Sequence, residues 1–298
     1  MTPTADGTGS AAASAAAAHP LGGVAASRSP AAIGHAAALS LYQELALYPK
    51  PGLVSFVDSG SHADMDASTF MGSVFALRPY FAQIATLGAR GAGFGELERA
   101  GIAAEARMLQ ATGGVNTHRG AIFVLGLLCA AAGRVAASGT SLSPRAIRAA
   151  LRAAWGSALA GRCQTLGDSH GQRAARLHGL GHAGAEAAGG FPVLFETTLP
   201  ALQRSLARGE APVLARLDAL MRTVAVLADT NLAHRGGMAG LRFAQGAAAR
   251  FLAAGGVGRA DAVRELEGLH RQFVARRLSP GGAADLLAGA CWLQRVCE

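Results

Sequence analysis

Cysteine, lysine, aromatic residues and acids are all scarce in this chain, and each scarcity removes a class of protein. Its 298 residues hold four cysteines, Cys129, Cys163, Cys291 and Cys297, with no CxxC pair. That excludes a disulfide scaffold or zinc knuckle and fits reduced thiols in a cytoplasmic location. Aromatics make up 5% of the chain and β-branched residues are few, which argues against a sheet. The best apolar run, Ala121 to Gly133, is closed by Arg119 and Arg134. It is shorter than the roughly 20 residues of a membrane span, so no membrane partner is expected. No basic stretch leading into a compact apolar one opens the chain, so no secretory signal is expected. Nucleophile elbows, Walker loops, a GxGxxG turn after a strand and HExxH are absent.

What is present is alanine, leucine and glycine. Apolar residues reach 51%, enough to bury a core and to exclude global disorder. Residues 1–30 are small and polar, and read as a disordered leader before a helical catalytic domain at 31–298. Helical periodicity runs from Ala31 to Tyr48, where Pro49 stops it. Further helices are expected at Asp66–Leu87 with a kink at Pro79, at Glu96–Ala111, and after a cap at Asn116 or Thr117. That fourth segment is apolar all round and should be central. Ser143-Pro144 opens another helix. Two short helices are expected within 161–190, and five more between Pro200 and Val296. The fold expected is all-α, one domain of about ten helices. Most of the 40 glycines fall at helix junctions, where backbone amides are free for ligands.

Arginine and lysine total 27 against 19 acids, a net charge of +8. Such a chain attracts anions. The arginines are scattered, without interleaved aromatics, so the stacking platform of a nucleic-acid binder is missing and no nucleic-acid partner is expected. A nucleotide triphosphate needs only a few of them. Lys50 is the sole lysine, held in the stiff turn Tyr48-Pro49-Lys50-Pro51-Gly52; ammonium and guanidinium differ in size and hydrogen-bond geometry, so a site role is expected.

Chemistry concentrates in a few segments. Asp58, His62, Asp64 and Asp66 fall close together in a chain poor in acids. Asp64 and Asp66 suit a hard cation such as Mg²⁺, or general-base work, although Asp66 alone is also a plausible helix cap. Thr112-Gly113-Gly114-Val115-Asn116-Thr117-His118-Arg119-Gly120 places glycines before a helix N-terminus, a common phosphate holder. Asp229-Thr230-Asn231-Leu232-Ala233-His234-Arg235-Gly236-Gly237 repeats His-Arg-Gly. Composition predicts about 0.1 such tripeptides by chance, and the chain has two. Gly281 and Gly282 open a helix with Asp285 in its first turn, where an acid could simply complement the dipole. Asp168 and His170 form another polar pair. Glu105 sits between Ile102 and Met108, a partly buried acid with either a raised pKa and a task or an arginine partner.

Together these segments resemble the triphosphoribosyl-dephospho-coenzyme A synthase family. The matching pieces are Pro49 to Val54, Gly60 to Asp66, Gly113 to Gly120, Glu186-Ala187 with Gly190-Phe191-Pro192, Asp229-Thr230-Asn231, and Ser279 to Leu286. In one departure, Gly184 stands where the family is expected to place an arginine, a contact that Arg173 or Arg176 could supply. The resemblance implies transfer of the triphosphoribosyl group of ATP to 3′-dephospho-CoA with release of adenine. It also implies passage of the product to a carrier-protein transferase serving malonate decarboxylase or citrate lyase. On that reading Lys50, Arg119, Arg235 and the amides at Gly113-Gly114 and Gly236-Gly237 grip the triphosphate, with Mg²⁺ on Asp64 and Asp66. Asp64, Glu105 or Asp229 takes the proton of the attacking hydroxyl, and His62, His118 or His234 assists departing adenine. Asn116, Glu186, Asn231, Gly281, Gly282 and Asp285 are the remaining substrate contacts expected. Two other readings compete: a Mg²⁺-dependent all-α hydrolase of nucleotides or ADP-ribose, and a basic nucleic-acid binder.

Overall fold

A computed structural model describes residues 29–164, Leu177, Leu180 and 183–298. Except for Ser29 and Pro30, the expected leader lies outside the described residues, as do Asp168, His170, Arg173 and Arg176. Among the described residues there are eleven α-helices and no strand. In chain order they are α1 (Pro30–Leu45), α2 (Ala67–Ala89), α3 (Phe94–Ala111), α4 (Arg119–Ala137), α5 (Pro144–Gln164) and α6 (Ala183–Ala188). There follow α7 (Leu199–Ala207), α8 (Pro212–Val226), α9 (Thr230–Ala253), α10 (Ala262–Ala275) and α11 (Gly281–Cys297). A π-helical turn, Leu194–Thr198, leads into α7, and a 3₁₀ turn, Gly256–Gly258, separates α9 from α10.

Local chemistry explains the ends. Ser29 caps α1, its Oγ accepting from the Ala32 amide at 3.1 Å, and Pro30 takes the first helical position. Asp66 caps α2 in a reciprocal box with Thr69. Helix α2 runs on through Pro79. Asp229 caps α9 at Thr230, and the helix is two segments joined by a kink at Gly237, whose φ 61° and ψ −168° are non-helical; the second segment starts where periodicity suggests, at Gly237.

Helix α4 is central. Its composition and length would let it cross a membrane, contrary to the expectation from its apolar run, but 72% of that window is buried inside the fold. Helices α1, α2, α5 and α11 pack around it, and α3 lies on α2. Close approach demands glycine at two crossings. A Cβ on Gly88 of α2 would lie 1.9 Å from the Ala130 carbonyl of α4, and one on Gly133 of α4 would lie 2.0 Å from the Ala85 carbonyl of α2. Buried indoles tie the periphery down. Trp292 Nε1 donates to the Ile33 carbonyl and Trp155 Nε1 to that of Ala92, each at 3.1 Å.

Gly88→Ala should therefore lower the unfolding free energy by about 1–3 kcal/mol or more. Gly161→Ala, with no atom within 4 Å of the added Cβ, should raise it by about 0.5–1 kcal/mol. Urea denaturation of the two variants reads both.

Candidate active site

The N-terminal ends of α4, α9 and α11 converge on one cavity of about 920 Å³. Arg119 and Gly120, Thr230 and Asn231, and Gly281 and Gly282 all line it. Helix N-termini present unsatisfied amides and the positive end of the helix dipole. Two of the three, those of α9 and α11, have first-turn amides bonded to Asp229, so the end of α4 is the one left to receive an anion. The facing wall comes from α3, through Leu97, Gly101 and Glu105, and from the loop carrying His62, Asp64 and Met65.

Asp229 joins two of these ends. Its Oδ1 accepts the amides of Asn231 at 2.8 Å and Leu232 at 3.4 Å, capping α9. Its Oδ2 accepts the Ala283 amide of α11 at 3.1 Å, and the Gly282 amide also donates to the carboxylate. Gly282 must be small because a Cβ there would lie 3.1 Å from Oδ2. Burial pushes the Asp229 carboxyl up to about 6, while the four amides pull it down. Asp229 is only 2% exposed and lies behind the cavity wall. It is therefore a structural bracket and not the free base the sequence reading allowed.

Each His-Arg-Gly repeat has one residue for each of three tasks. His118 is buried, its Nδ1 2.7 Å from Ser73 Oγ and its ring edge-on to Phe70, while its Nε2 has no partner. Arg119 holds Glu105 through both Nε, at 2.7 Å, and Nη2. Gly120 accommodates Asp285, whose Oδ2 would lie 1.9 Å from a Cβ there. In the second repeat His234 lines the cavity. Arg235 Nη1 donates to the carbonyls of Ser61 at 3.0 Å and Arg277 at 3.3 Å. Its Nη2 lies 2.9 Å from His62 Nδ1. Guanidinium can only donate, so His62 Nδ1 accepts and Nε2 carries the hydrogen toward Ser279 Oγ at 3.1 Å. A Cβ on Gly236 would lie 2.5 Å from a Leu278 methyl.

Neither His62 nor His118 is a charged acid at neutral pH. Burial and then Arg235 lower His62 to about 4, against the pull of Asp64. Burial and then Lys50 lower His118 to about 3. Of the three rings expected to assist adenine, His234, which lines the cavity, is the one not set aside on this ground.

Lys50 does not face the cavity as a free cation. It is 1% exposed, and its Nζ donates to Glu44 Oε1 at 2.5 Å and to the Glu44 carbonyl at 2.6 Å. Burial pushes the ammonium pKa down, and Glu44 opposes the shift. Glu44, which the sequence reading missed, lines the cavity. Lys50 thus acts on the site through Glu44. The turn that carries it contains a cis Tyr48-Pro49 bond and is held by His270, with Nδ1 2.8 Å from the Lys50 carbonyl and Nε2 3.1 Å from Asp58 Oδ2.

Of the residues expected at the site, Asp64, Glu105, His118, His62, Asn116, Arg119, Asn231, His234, Arg235, Gly281, Gly282 and Asp285 all line the single cavity. Four others do not. Gly113 and Gly114 form the C-terminal cap of α3: Gly113 is left-handed at φ 64°, and the Gly114 amide bonds the Leu109 carbonyl at 2.7 Å. They do not line the cavity. Glu186 lies on α6 and accepts the Val193 amide at 3.0 Å; burial raises its pKa. Asp66 is exposed, away from the cavity, with its Oδ1 on the amide and hydroxyl of Thr69. An Asp64–Asp66 metal pair therefore does not fit, and among the described residues no group of three or more metal-ligating side chains occurs. Gly236 and Gly237 stand at the kink within α9 and do not line the cavity. Glu105 has the arginine partner and so loses the role of free base.

The sequence profile of the family described as ATP:dephospho-CoA triphosphoribosyl transferase matches residues 30–298. The chain belongs to that family. It is an enzyme, a transferase acting on a ribosyl group. Three relatives illustrate the likeness. A probable 2-(5″-triphosphoribosyl)-3′-dephosphocoenzyme-A synthase of Pseudomonas aeruginosa (strain UCBPP-PA14) is 42% identical over 265 residues, covering 86% of this chain and 88% of the relative. One of Vibrio cholerae serotype O1 (strain M66-2) is 37% identical over 274 residues, covering 89% and 87%. The 2-(5″-triphosphoribosyl)-3′-dephosphocoenzyme-A synthase of Pectobacterium atrosepticum is 40% identical over 262 residues, covering 85% of each. No solved structure matches the chain.

Lys50→Met leaves the Glu44 charge buried and unpaired, which should cost about 3–5 kcal/mol; adding Glu44→Gln should recover much of it, as read by equilibrium denaturation. His118 titrates near 6.5 when unfolded but at about 3 here. It therefore supplies stability that is present above pH 6.5 and lost as pH falls, because the unfolded chain binds the proton first. Melting temperatures recorded between pH 6.5 and 4 should fall less steeply for His118→Gln than for the parent.

Proposed function

We propose that the enzyme moves the triphosphoribosyl group of ATP to the 2′-hydroxyl of 3′-dephospho-CoA and releases adenine. The observation that carries this is the convergence of three helix N-termini on one cavity that also contains carboxyl groups. The cavity volume of about 920 Å³ stands at the upper end of the roughly 300–1,000 Å³ common for small-molecule sites.

The triphosphate is assigned to the entrance of α4. Asn116 Oδ1 takes the first amide of that helix, that of Arg119, at 3.2 Å; His118 at its N-cap takes none, so the amides of Gly120 and Ala121 can meet phosphate oxygens. Arg119 and Asn116 flank it, and Asn231, Arg235 and Gly281 line the same cavity. We assign any Mg²⁺ to the triphosphate itself, with no step depending on Asp66. Phe70, Tyr80 and Ile122 offer apolar wall for adenine; Phe94, Leu97, Ile102 and Leu159 offer it for the pantetheine arm.

Breaking the C1′–N9 bond leaves ribosyl C1′ oxocarbenium-like, as in glycoside cleavage. The 2′-hydroxyl of dephospho-CoA then bonds to C1′ and gives up its proton. Of the three acids first considered, Glu105 is held by Arg119 and Asp229 by backbone amides, so Asp64 is assigned as the base. Walls closed by helices keep water from C1′. On this reading the product goes to a carrier-protein transferase in the cytoplasm, in service of malonate decarboxylase or citrate lyase.

Purified protein given ATP should release adenine only when dephospho-CoA is present. Adenine with free ribose triphosphate, formed without dephospho-CoA, would mean a hydrolase. Salt-sensitive nucleic-acid binding without adenine would mean a nucleic-acid protein. Asp64→Asn should lower kcat by on the order of 10²–10⁴ with ATP affinity little changed.

A further inference from the structure

With His62 and His118 neutral, the groups on the cavity left to give the departing base a proton are His234 and the carboxyls. Five carboxyl groups besides Asp285 line the cavity or lie just behind it, and four of them are tied. Glu105 is held by Arg119, Glu98 by Arg162, Glu44 by Lys50, and Asp229 by backbone amides. Asp64 is on the rim, its side chain 63% exposed. Asp285 lines the cavity, rests on Gly120 at the entrance of α4, and makes no hydrogen bond or ion pair among the described residues.

We propose that Asp285 is the acid that hands a proton to adenine as it leaves. This rests on the triphosphoribosyl-transfer reading above. As C1′–N9 breaks, the bonding pair stays with the purine, and the Asp285 carboxyl proton moves to a ring nitrogen, N3 or N7. The 2′-hydroxyl proton goes to Asp64, and water restores both groups after product leaves. The net change is one proton lost by the hydroxyl and one gained by adenine. The surroundings hold the proton on Asp285 until then. Burial and the carboxyls of Asp229 and Glu44 raise its pKa well above the usual range, and a triphosphate at the adjacent helix entrance adds like charge. The other acidic, basic and histidine side chains on the cavity are His62, Asp64, Glu98, Glu105, His118, Arg119, Arg162, His234 and Arg235, with Lys50 behind Glu44.

The test compares two donors, ATP and 7-methyl-ATP, whose purine already carries a positive charge and departs without a proton. With ATP and dephospho-CoA, Asp285→Asn should lower kcat on the order of 10²–10⁴-fold while ATP affinity changes little. With 7-methyl-ATP the variant should run within a few-fold of the parent. Equal impairment with both donors, or none with ATP, overturns the proposal. Should Asp285→Asn not fold, the parent's pH profiles decide. A rate that falls at high pH with ATP and not with 7-methyl-ATP supports the acid; the same high-pH limb with both donors overturns it. Absence of adenine release by the parent protein would defeat the transfer reading itself, a result distinct from any of these.

Discussion

The site depends on the carboxylate of Asp229. Its two oxygens accept amides from the first turns of α9 and α11 and so hold two helix N-termini side by side. Those amides would otherwise be buried without partners, at a cost of about 1–3 kcal/mol each. Once the ends are bracketed, Asn231, His234 and Arg235 on one helix and Gly281, Gly282 and Asp285 on the other share a wall. The end of α4 then completes a surface where negative charge is welcome.

Around the site several charges are held by partners, as burial requires. Lys50 has Glu44, Arg119 has Glu105, and Arg235 has two carbonyls and a neutral ring nitrogen. Pairing fixes their geometry and removes them from proton transfer. It also isolates Asp285, the acid left among like charges with no donor to stabilise its ionised form. The two His-Arg-Gly repeats are the same arrangement at two helices. The glycine admits a close neighbour, the arginine holds a loop or an acid, and the histidine stands at the cavity.

Much was legible in the residues themselves. Asp66, Ser143-Pro144 and the glycines after α3 marked helix ends correctly, because caps and left-handed turns depend on a few neighbouring residues. The segments around Asp64, Asn116, Asn231 and Gly281 were recognisable as parts of one site because small residues, acids and His-Arg pairs recur at helix beginnings. The assignments that failed were those where the same local residues allow two uses or give no sign of burial. Gly113-Gly114 looks the same whether it ends one helix or begins a phosphate loop. Lys50 gave no sign of its burial, and Glu44 no sign that it lines the cavity, since the two meet only when the cis Tyr48-Pro49 turn folds back on α1.

Composition and periodicity by themselves determined that this chain is helical, where its helices stop, and which segments carry polar chemistry. These are consequences of interactions within about one turn. Only the tertiary structure decided which of those polar groups remain available. The partners that neutralise them come from far along the chain: Ala283 for Asp229, 54 residues away, and Ser279 for His62, 217 residues away. Protonation follows burial and neighbouring charge, which no local pattern records.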